Sequence, residues 1–156
     1  MIILGIDPGL ADTGYGVLIK DRELKYLTHG SIKTKAGLAM ADRLRIIYRE
    51  LKSIIKKYSP EVIAVEKLFF CKNVKTALAV GQARGVILLT ASQATLQLEE
   101  YTPLQVKQAV VGYGNADKQQ VQAMVKTILN LKKIPEPDDA ADALAIAICC
   151  AHSIRK

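Results

Sequence analysis

Apolar runs bounded by turn-like residues predict the strands of this chain. Ile2–Asp7 and residues 14–20 and 23–34 are rich in β-branched, aromatic or apolar residues and are separated by short turn-like segments. We expect these three segments to pair as an antiparallel meander. Residues 61–66 and 98–101 have the same character and predict two further strands.

Apolar residues at helical spacing predict the helices. Within Met40–Tyr58, the side chains of Leu44, Ile47 and Leu51 recur opposite basic residues, which is typical of a helix that packs one side on a core. A second, long helix is predicted near residues 73–96. Three more helices are predicted at residues 103–111, 117–131 and 138–152.

Three antiparallel strands followed by alternating helices and strands predict an α/β fold. We expect a mixed five-stranded sheet flanked by helices on both faces. The length of 156 residues suits a single domain spanning residues 1–156. Pro135 and Pro137 predict a rigid connector that determines how the last helix is oriented.

The apolar runs and the cysteines indicate where in the cell the protein is located. We interpret the apolar runs as too short for a membrane span of roughly 18 residues, and Asp7 interrupts the first run too early for a signal peptide. The three cysteines lack the spacing of a metal finger and are expected to stay reduced. We therefore expect a cytoplasmic protein with no membrane partner.

The formal net charge of +7 suggests a polyanionic partner. Lysine and arginine side chains on a basic surface can hold the phosphates of a nucleic acid. A basic surface that only maintains solubility explains the charge equally well. Charge alone therefore leaves both interpretations open.

Carboxylates close two of the predicted buried strands. Asp7 follows the apolar run Ile2-Ile3-Leu4-Gly5-Ile6, and Glu66 follows Val62-Ile63-Ala64-Val65. In open α/β sheets, ligands bind beyond the strand ends, so we expect these two side chains to meet in one cleft.

Two further carboxylates lie near the start of the last predicted helix. Asp139 and Asp142 are spaced i and i+3 and therefore share a helix face. The alternative is that Asp138 or Asp139 only caps this helix. The rest of the helix is almost entirely apolar, however, and buried aspartates are rare unless they are paired or bind a metal.

Four clustered carboxylates predict a metal centre, because they would raise one another's pKa values unless cations lay between them. Hard oxygen ligands select Mg²⁺ or Mn²⁺. Two such ions can hold a phosphodiester, activate the attacking water and stabilise the leaving oxygen. The residues therefore predict metal-assisted phosphodiester hydrolysis with two Mg²⁺ ions per active site, for which Mn²⁺ can substitute.

An ordered set of motifs resembles the RuvC family of Holliday-junction resolvases and covers nearly the whole chain. The motifs are Gly5-Ile6-Asp7-Pro8-Gly9, Thr13-Gly14-Tyr15-Gly16, the strand end at Glu66, Gly81-Gln82-Ala83-Arg84-Gly85, Lys107-Gln108, and Asp139-Ala140-Ala141-Asp142-Ala143-Leu144-Ala145.

The resemblance implies a ribonuclease-H-like fold, a homodimer, and Mg²⁺-dependent paired nicking of four-way DNA junctions. It also implies the branch-migration proteins RuvA and RuvB as partners. The positions that correspond to the metal-binding catalytic acids are Asp7, Glu66, Asp139 and Asp142. The doublet at Asp138 and Asp139 departs from the family motif, and spacing to Asp142 favours Asp139. In relatives this position can also be histidine.

Aromatic and basic residues after Glu66 are candidates for contacts to DNA. Phe69 is expected to stack on an unpaired base at the junction centre, with Phe70 as its support and Lys72 holding phosphate. The alternative is that both phenylalanines pack beneath the sheet edge.

Three further basic residues are predicted to contact DNA. Lys118 lies at a predicted helix start, where a cation opposes the helix dipole and favours a nearby phosphate. The alternative is that Asp117 and Gln120 form a capping box and Lys118 is only solvated. Lys107 and Arg84 are assigned through their places in the family's motifs.

Gly81 and Gly85 interrupt a predicted helix, where each costs about 1 kcal/mol relative to alanine. We expect the segment to lie at a helix contact, either within the chain or in a dimer.

Three other function classes compete with a junction resolvase. An actin-like or sugar-kinase-like ATP-binding protein has a similar first hairpin, but such proteins close two domains around the nucleotide. A non-catalytic junction-binding protein would not need the four acids. A nuclease that cuts an RNA–DNA hybrid stays open, because the metal centre does not specify the nucleic acid.

Overall fold

The computed structural model describes residues 1–68 and 74–154, which form one five-stranded sheet and five helices. The strands are β1 (Ile2–Asp7), β2 (Asp12–Lys20), β3 (Leu24–Lys33), β4 (Val62–Glu66) and β5 (Gln97–Tyr101). The helices are α1 (Met40–Tyr58), α2 (Val74–Gln93), α3 (Pro103–Val111), α4 (Lys118–Ile128) and α5 (Asp138–Ser153).

The sheet has the order β3-β2-β1-β4-β5. β2 pairs antiparallel with β1 and β3, whereas β4 pairs parallel with β1 and β5. Helices α1 and α2 lie in the connections that join the parallel strands, which cannot be linked by a tight turn. The mixed five-stranded sheet predicted from the sequence is therefore confirmed.

Alternation along the strands produces a hydrophobic core on each face of the sheet. Ile3 and Val62 pack with α3, α4 and α5, whereas Leu4 packs with α1 and α2. Successive side chains of a strand point to opposite faces, so Asp7 shares the face of Ile3, and Glu66 shares the face of Val62. Both carboxylates therefore point to the side of the sheet that α5 covers.

Helix α5 packs directly on the backbone of β1 and β2 because glycines leave room for it. A Cβ atom at Gly5 would collide with the carbonyl of Ala143, and one at Gly14 would collide with the carbonyl of Asp139. Gly14 is also the register partner of Asp7. The close approach therefore brings the first turn of α5 to the end of β1.

The ends of several elements differ from the sequence predictions by one to three residues, among them those of β2 and α4. β2 begins at Asp12 because Asp12 pairs with Lys33 across the antiparallel ladder. Helix α4 begins after Asp117, which is its N-cap, and ends before Asn130, whose backbone is left-handed with φ of 50°.

Helix α2 is apolar over a greater length than the sequence analysis predicted. It is long and apolar enough to cross a membrane by length and composition alone, so the expectation that no apolar segment reaches that length is wrong. Core helices of soluble proteins can have the same length and composition. One side of α2 exposes Val74, Leu78 and Leu89, with exposed fractions of 79%, 64% and 56%.

Gly85 lies on the same side of α2 as these residues, at the 3.6-residue periodicity of a helix. A Cβ atom at Gly85 would meet no other described part of the chain within 4 Å, and one at Gly81 would meet only Leu68, at 3.5 Å. Neither glycine therefore packs against another helix within the described residues. We call Val74, Leu78, Gly85 and Leu89 the apolar stripe of α2.

Candidate active site

Three of the four predicted acids converge at one edge of the sheet. Asp7 ends β1, Glu66 ends the neighbouring parallel strand β4, and Asp142 reaches them from the second turn of α5. Together with Lys107 and Lys118 they line a cleft of about 210 Å³. The cleft lies beyond the ends of β1 and β4, as predicted from the sequence.

The cleft carries negative charge that the protein only partly compensates. Burial, followed by the charges of Glu66, Asp142 and Asp139, raises the pKa of Asp7 to about 8, and Lys118 opposes this shift. Burial also raises the pKa of Glu66, with a smaller contribution from Asp142 and an opposing one from Lys107. The pKa of Asp142 is raised by burial, with Lys118 again opposing. A bound cation would relieve this unfavourable arrangement.

Asp139 lies beside the cleft and does not line it. Its pKa is raised by burial and then by Asp12, an acid that the sequence analysis did not single out. One carboxylate oxygen of Asp12 is buried without a hydrogen-bond partner in the described residues, and the other is 4.0 Å from the Lys33 ammonium. A signal was present in the sequence, since Asp12 lies two residues before Gly14 in the motif that pairs with β1.

The donor set fits a hard divalent cation. All four predicted ligands are carboxylates, which are the groups that Mg²⁺ and Mn²⁺ prefer. Within residues 1–68 and 74–154, no three acidic, histidine or cysteine side chains are close enough to form a preformed metal site. Asp7, Glu66 and Asp142, which line the same cleft, would hold such an ion.

Lys118 supplies a positive charge at the cleft. Its Nζ atom lies 3.1 Å from Oδ2 of Asp142 and 3.2 Å from Oδ2 of Asp138. The other oxygen of Asp138 accepts a hydrogen bond of 3.1 Å from Nε2 of Gln122. These contacts lower the pKa of Asp138, so its charge is already compensated in a way that the charge of Asp7 is not.

Two capping predictions have different outcomes. Asp117 and Gln120 form the predicted capping box at the start of α4, and Lys118 is ion-paired at the cleft instead of being only solvated. At the start of α5, Pro137 is the N-cap and no side chain caps the helix. Helix capping by Asp138 or Asp139 is therefore wrong.

Comparison with known proteins identifies the family. The family model described as "Crossover junction endodeoxyribonuclease RuvC" matches residues 3–150. The protein of that name from Halothermothrix orenii is 60% identical over 156 residues, which cover 99% of this chain and 94% of the relative. Its counterpart from Alkaliphilus oremlandii is 59% identical over 154 residues, 98% of this chain and 94% of the relative. This chain belongs to the RuvC family.

Solved RuvC structures share the fold. The Thermus thermophilus RuvC structure matches with a TM-score of 0.88 and 37% identity. T. thermophilus RuvC in complex with Holliday junction substrate matches with a TM-score of 0.87 and 34% identity. Each match covers 96% of this chain and 92% of the other. The ribonuclease-H-like fold predicted from the sequence is therefore confirmed.

The basic residues predicted from the RuvC motifs occupy different positions. Lys107, on α3, lines the acidic cleft. Arg84, on α2, is 16% exposed, and its guanidinium binds the backbone carbonyl of Glu66 and the carboxylate of Glu100. Both contacts of Arg84 are within the protein, so the geometry does not support the predicted DNA contact. The predicted DNA-binding residues Phe69, Phe70 and Lys72 lie outside the described residues.

Proposed function

We propose that this protein is a Holliday-junction resolvase, an endodeoxyribonuclease that makes paired symmetric nicks in four-way DNA junctions during recombination and repair. The observation that carries the proposal is the acidic cleft of Asp7, Glu66 and Asp142 flanked by Lys107 and Lys118, in a chain of the RuvC family. A relative from T. thermophilus has been solved with Holliday junction substrate, which supports the same substrate here.

Divalent metal ions are the proposed cofactors, with Asp7, Glu66, Asp139 and Asp142 as the residues that hold them. Two Mg²⁺ ions are favoured by the all-carboxylate donor set, and Mn²⁺ is the expected substitute. When bound, such ions would lower the pKa of the attacking water and stabilise the leaving 3′ oxygen. The raised pKa of Asp7 supports the proposal, because burial and the neighbouring carboxylates disfavour its negative charge, which a bound cation would stabilise.

The two lysines of the cleft are proposed to hold the scissile phosphate. Lys107 and Lys118 line the same cleft as the acids and oppose the raised pKa values of Glu66 and Asp142. An entering phosphate competes with Asp142 for the Lys118 ammonium, which then forms a charge-assisted hydrogen bond to DNA. The lysines thereby orient the phosphodiester towards the acids.

Phe69 is proposed to stack on an unpaired base at the junction centre, with Phe70 as its support and Lys72 on a neighbouring phosphate. The support is proximity in the chain, since Phe69 follows Glu66 of the cleft by three residues. Aromatic stacking accepts any base, which suits a junction centre of varied sequence.

A homodimer is proposed to form through the apolar stripe of α2. Exposed apolar patches on soluble proteins commonly mark protein interfaces, and Gly85 would allow close approach of a partner helix. A four-way junction has approximate two-fold symmetry, which a two-fold symmetric dimer matches. Each subunit would then cut one of the two strands.

The remaining proposals rest on family membership. RuvA and RuvB are the proposed branch-migration partners, the cytoplasm is the proposed location, and residues 1–156 are proposed to act as one nuclease domain. The exposed side of α2 is assigned to the dimer and not to a membrane.

The test of the proposed function is cleavage of a synthetic four-way DNA junction compared with a linear duplex and an RNA–DNA hybrid of matching sequence. We expect symmetric nicks in the junction with Mg²⁺ and none with EDTA. Preferential cutting of the hybrid would replace a junction resolvase with a hybrid-specific nuclease. Binding of the junction without cutting in Mg²⁺ or Mn²⁺ would indicate a non-catalytic binding protein.

A further inference from the structure

Arg84 makes contacts that join three elements next to the acidic cleft. From α2, its Nε atom donates a hydrogen bond of 3.1 Å to the carbonyl oxygen of Glu66, the last residue of β4. Its terminal Nη2 atom lies 2.5 Å from Oε1 of Glu100 on β5. The Arg84 side chain is largely buried, so solvent screens this ion pair less than an exposed one.

The hydrogen bonds fix the peptide group immediately after Glu66. Its carbonyl, from Glu66, accepts from Arg84, and its N–H, from Lys67, donates to the carbonyl of Tyr101 at 2.8 Å. Both polar groups of one peptide plane are therefore held, one by α2 and the other by β5. Fixing this plane restricts rotation of the backbone at Glu66 and so the direction of its side chain.

Glu100 in turn fixes the guanidinium of Arg84. Glu100 pairs in register with Val65, which packs on the α1 and α2 face of the sheet. The contacts therefore lie on the opposite face from the Glu66 carboxylate, which points towards α5. From there, Arg84 can act on Glu66 only through the backbone.

We propose that Arg84 is a positioning residue for the nuclease reaction, which holds the Glu66–Lys67 peptide so that the Glu66 carboxylate faces Asp7 and Asp142. This inference rests on the proposed metal-binding role of Glu66. It replaces the contact to DNA that the sequence motif suggested for Arg84. Groups that orient a metal ligand in this way affect metal affinity or activity by about 10- to 100-fold when they are removed.

The decisive variants are Arg84→Met, which keeps an unbranched apolar stem, and Arg84→Lys, which keeps the positive charge. Arg45→Met is the matched control, because Arg45 pairs with Asp42 on the surface of α1 away from the cleft. Glu100→Gln is a second route to the same effect, because it leaves Arg84 in place and weakens the contact that orients it. Circular dichroism would establish that each variant is folded.

Three quantities separate positioning from other roles: the single-turnover cleavage rate at saturating junction, the dissociation constant for the junction, and the affinity for Mg²⁺ measured by calorimetry without DNA. For Arg84→Met we expect cleavage and Mg²⁺ affinity to fall by roughly 10- to 100-fold, with junction affinity within about twofold. Arg84→Lys should recover part of both losses, Glu100→Gln should show smaller losses of the same kind, and Arg45→Met should match wild type.

Two outcomes would overturn the proposal. Weaker junction binding with unchanged cleavage at saturation and unchanged Mg²⁺ affinity would make Arg84 a DNA contact. Unchanged values of all three quantities in folded Arg84→Met would remove any role of Arg84 in the reaction. The Mg²⁺ titration involves no DNA, so it tests Arg84 even if the wild-type protein cuts no junction and the proposed function fails.

Discussion

The charge state of Asp7 links the cleft to the stability of the protein. Burial and neighbouring carboxylates raise its pKa to about 8 from the usual aspartate value of 3.8. The folded protein therefore keeps a proton that the unfolded chain releases at lower pH. The resulting stabilisation is full below pH 3.8 and is lost as the pH rises towards 8.

We predict that the free energy of unfolding in EDTA decreases as the pH rises from 5 to 8, and that Asp7→Asn weakens this dependence because asparagine does not titrate. Urea denaturation across this pH range measures the effect. Asp21→Asn, in an exposed bend, is the control and should keep the wild-type dependence. The same pH dependence in wild type and Asp7→Asn would contradict the account.

Replacement of single acids distinguishes Asp138 from the acids of the cleft. We predict that Asp142→Asn slows junction cleavage by roughly 100-fold or more, because it would weaken the binding of the metal ion that stabilises charge in the transition state. Asp138→Asn should change the stability little, because an exposed ion pair contributes little. It should also change cleavage by no more than a few fold. Single-turnover kinetics measure both rates, and a large loss in Asp138→Asn would reverse the assignment.

At the scale of helices and strands, most of the correct predictions came from the periodicity of apolar residues. The apolar run before Asp7 and the helical spacing within Met40–Tyr58 predicted their elements because each buries a defined set of side chains. The side of α2 that faces solvent was not predictable, because its apolar residues are spread around the helix. The contacts of Arg84 could not be predicted for a related reason: its partners, Glu66 and Glu100, become neighbours only when β4, β5 and α2 have packed.

The approach of α5 to β2 leads to a prediction about Gly14. Gly14→Ala should destabilise the protein by about 1–3 kcal/mol, because the new methyl group would press on the carbonyl of Asp139. The shift of α5 should also slow junction cleavage. Gly37→Ala is the matched control, since a Cβ atom there meets nothing within 4 Å. Urea denaturation measures the stability, and equal effects of the two variants would contradict the role of Gly14.

At the scale of the whole molecule, the apolar stripe of α2 predicts how subunits associate. The double variant Leu78→Lys/Leu89→Lys should convert the dimer to a monomer, because two buried cations at a helix contact lack partners. Analytical ultracentrifugation measures the change. Leu27→Lys, which alters an exposed leucine on β3, is the control and should stay dimeric. A double variant that remains dimeric would place the interface elsewhere.

The part of the site that lies at the ends of strands could be predicted from the sequence. Asp7 and Glu66 could be brought together from sequence because neighbouring parallel strands end at one edge of the sheet. The contact between Lys118 and Asp142 could not, because it depends on how α4 and α5 pack on each other. Asp12 was missed because its proximity to Asp139 comes from the close packing of α5 on β2.

The most direct test of the acidic cleft compares wild type with Asp7→Asn on one synthetic four-way junction, with binding and cleavage recorded in the same Mg²⁺-containing samples. We predict that the variant still binds the junction, because Lys107 and Lys118 of the cleft are unchanged, and that its cleavage is abolished. Symmetric cleavage by Asp7→Asn at the wild-type rate would contradict the assignment of this cleft as the catalytic centre.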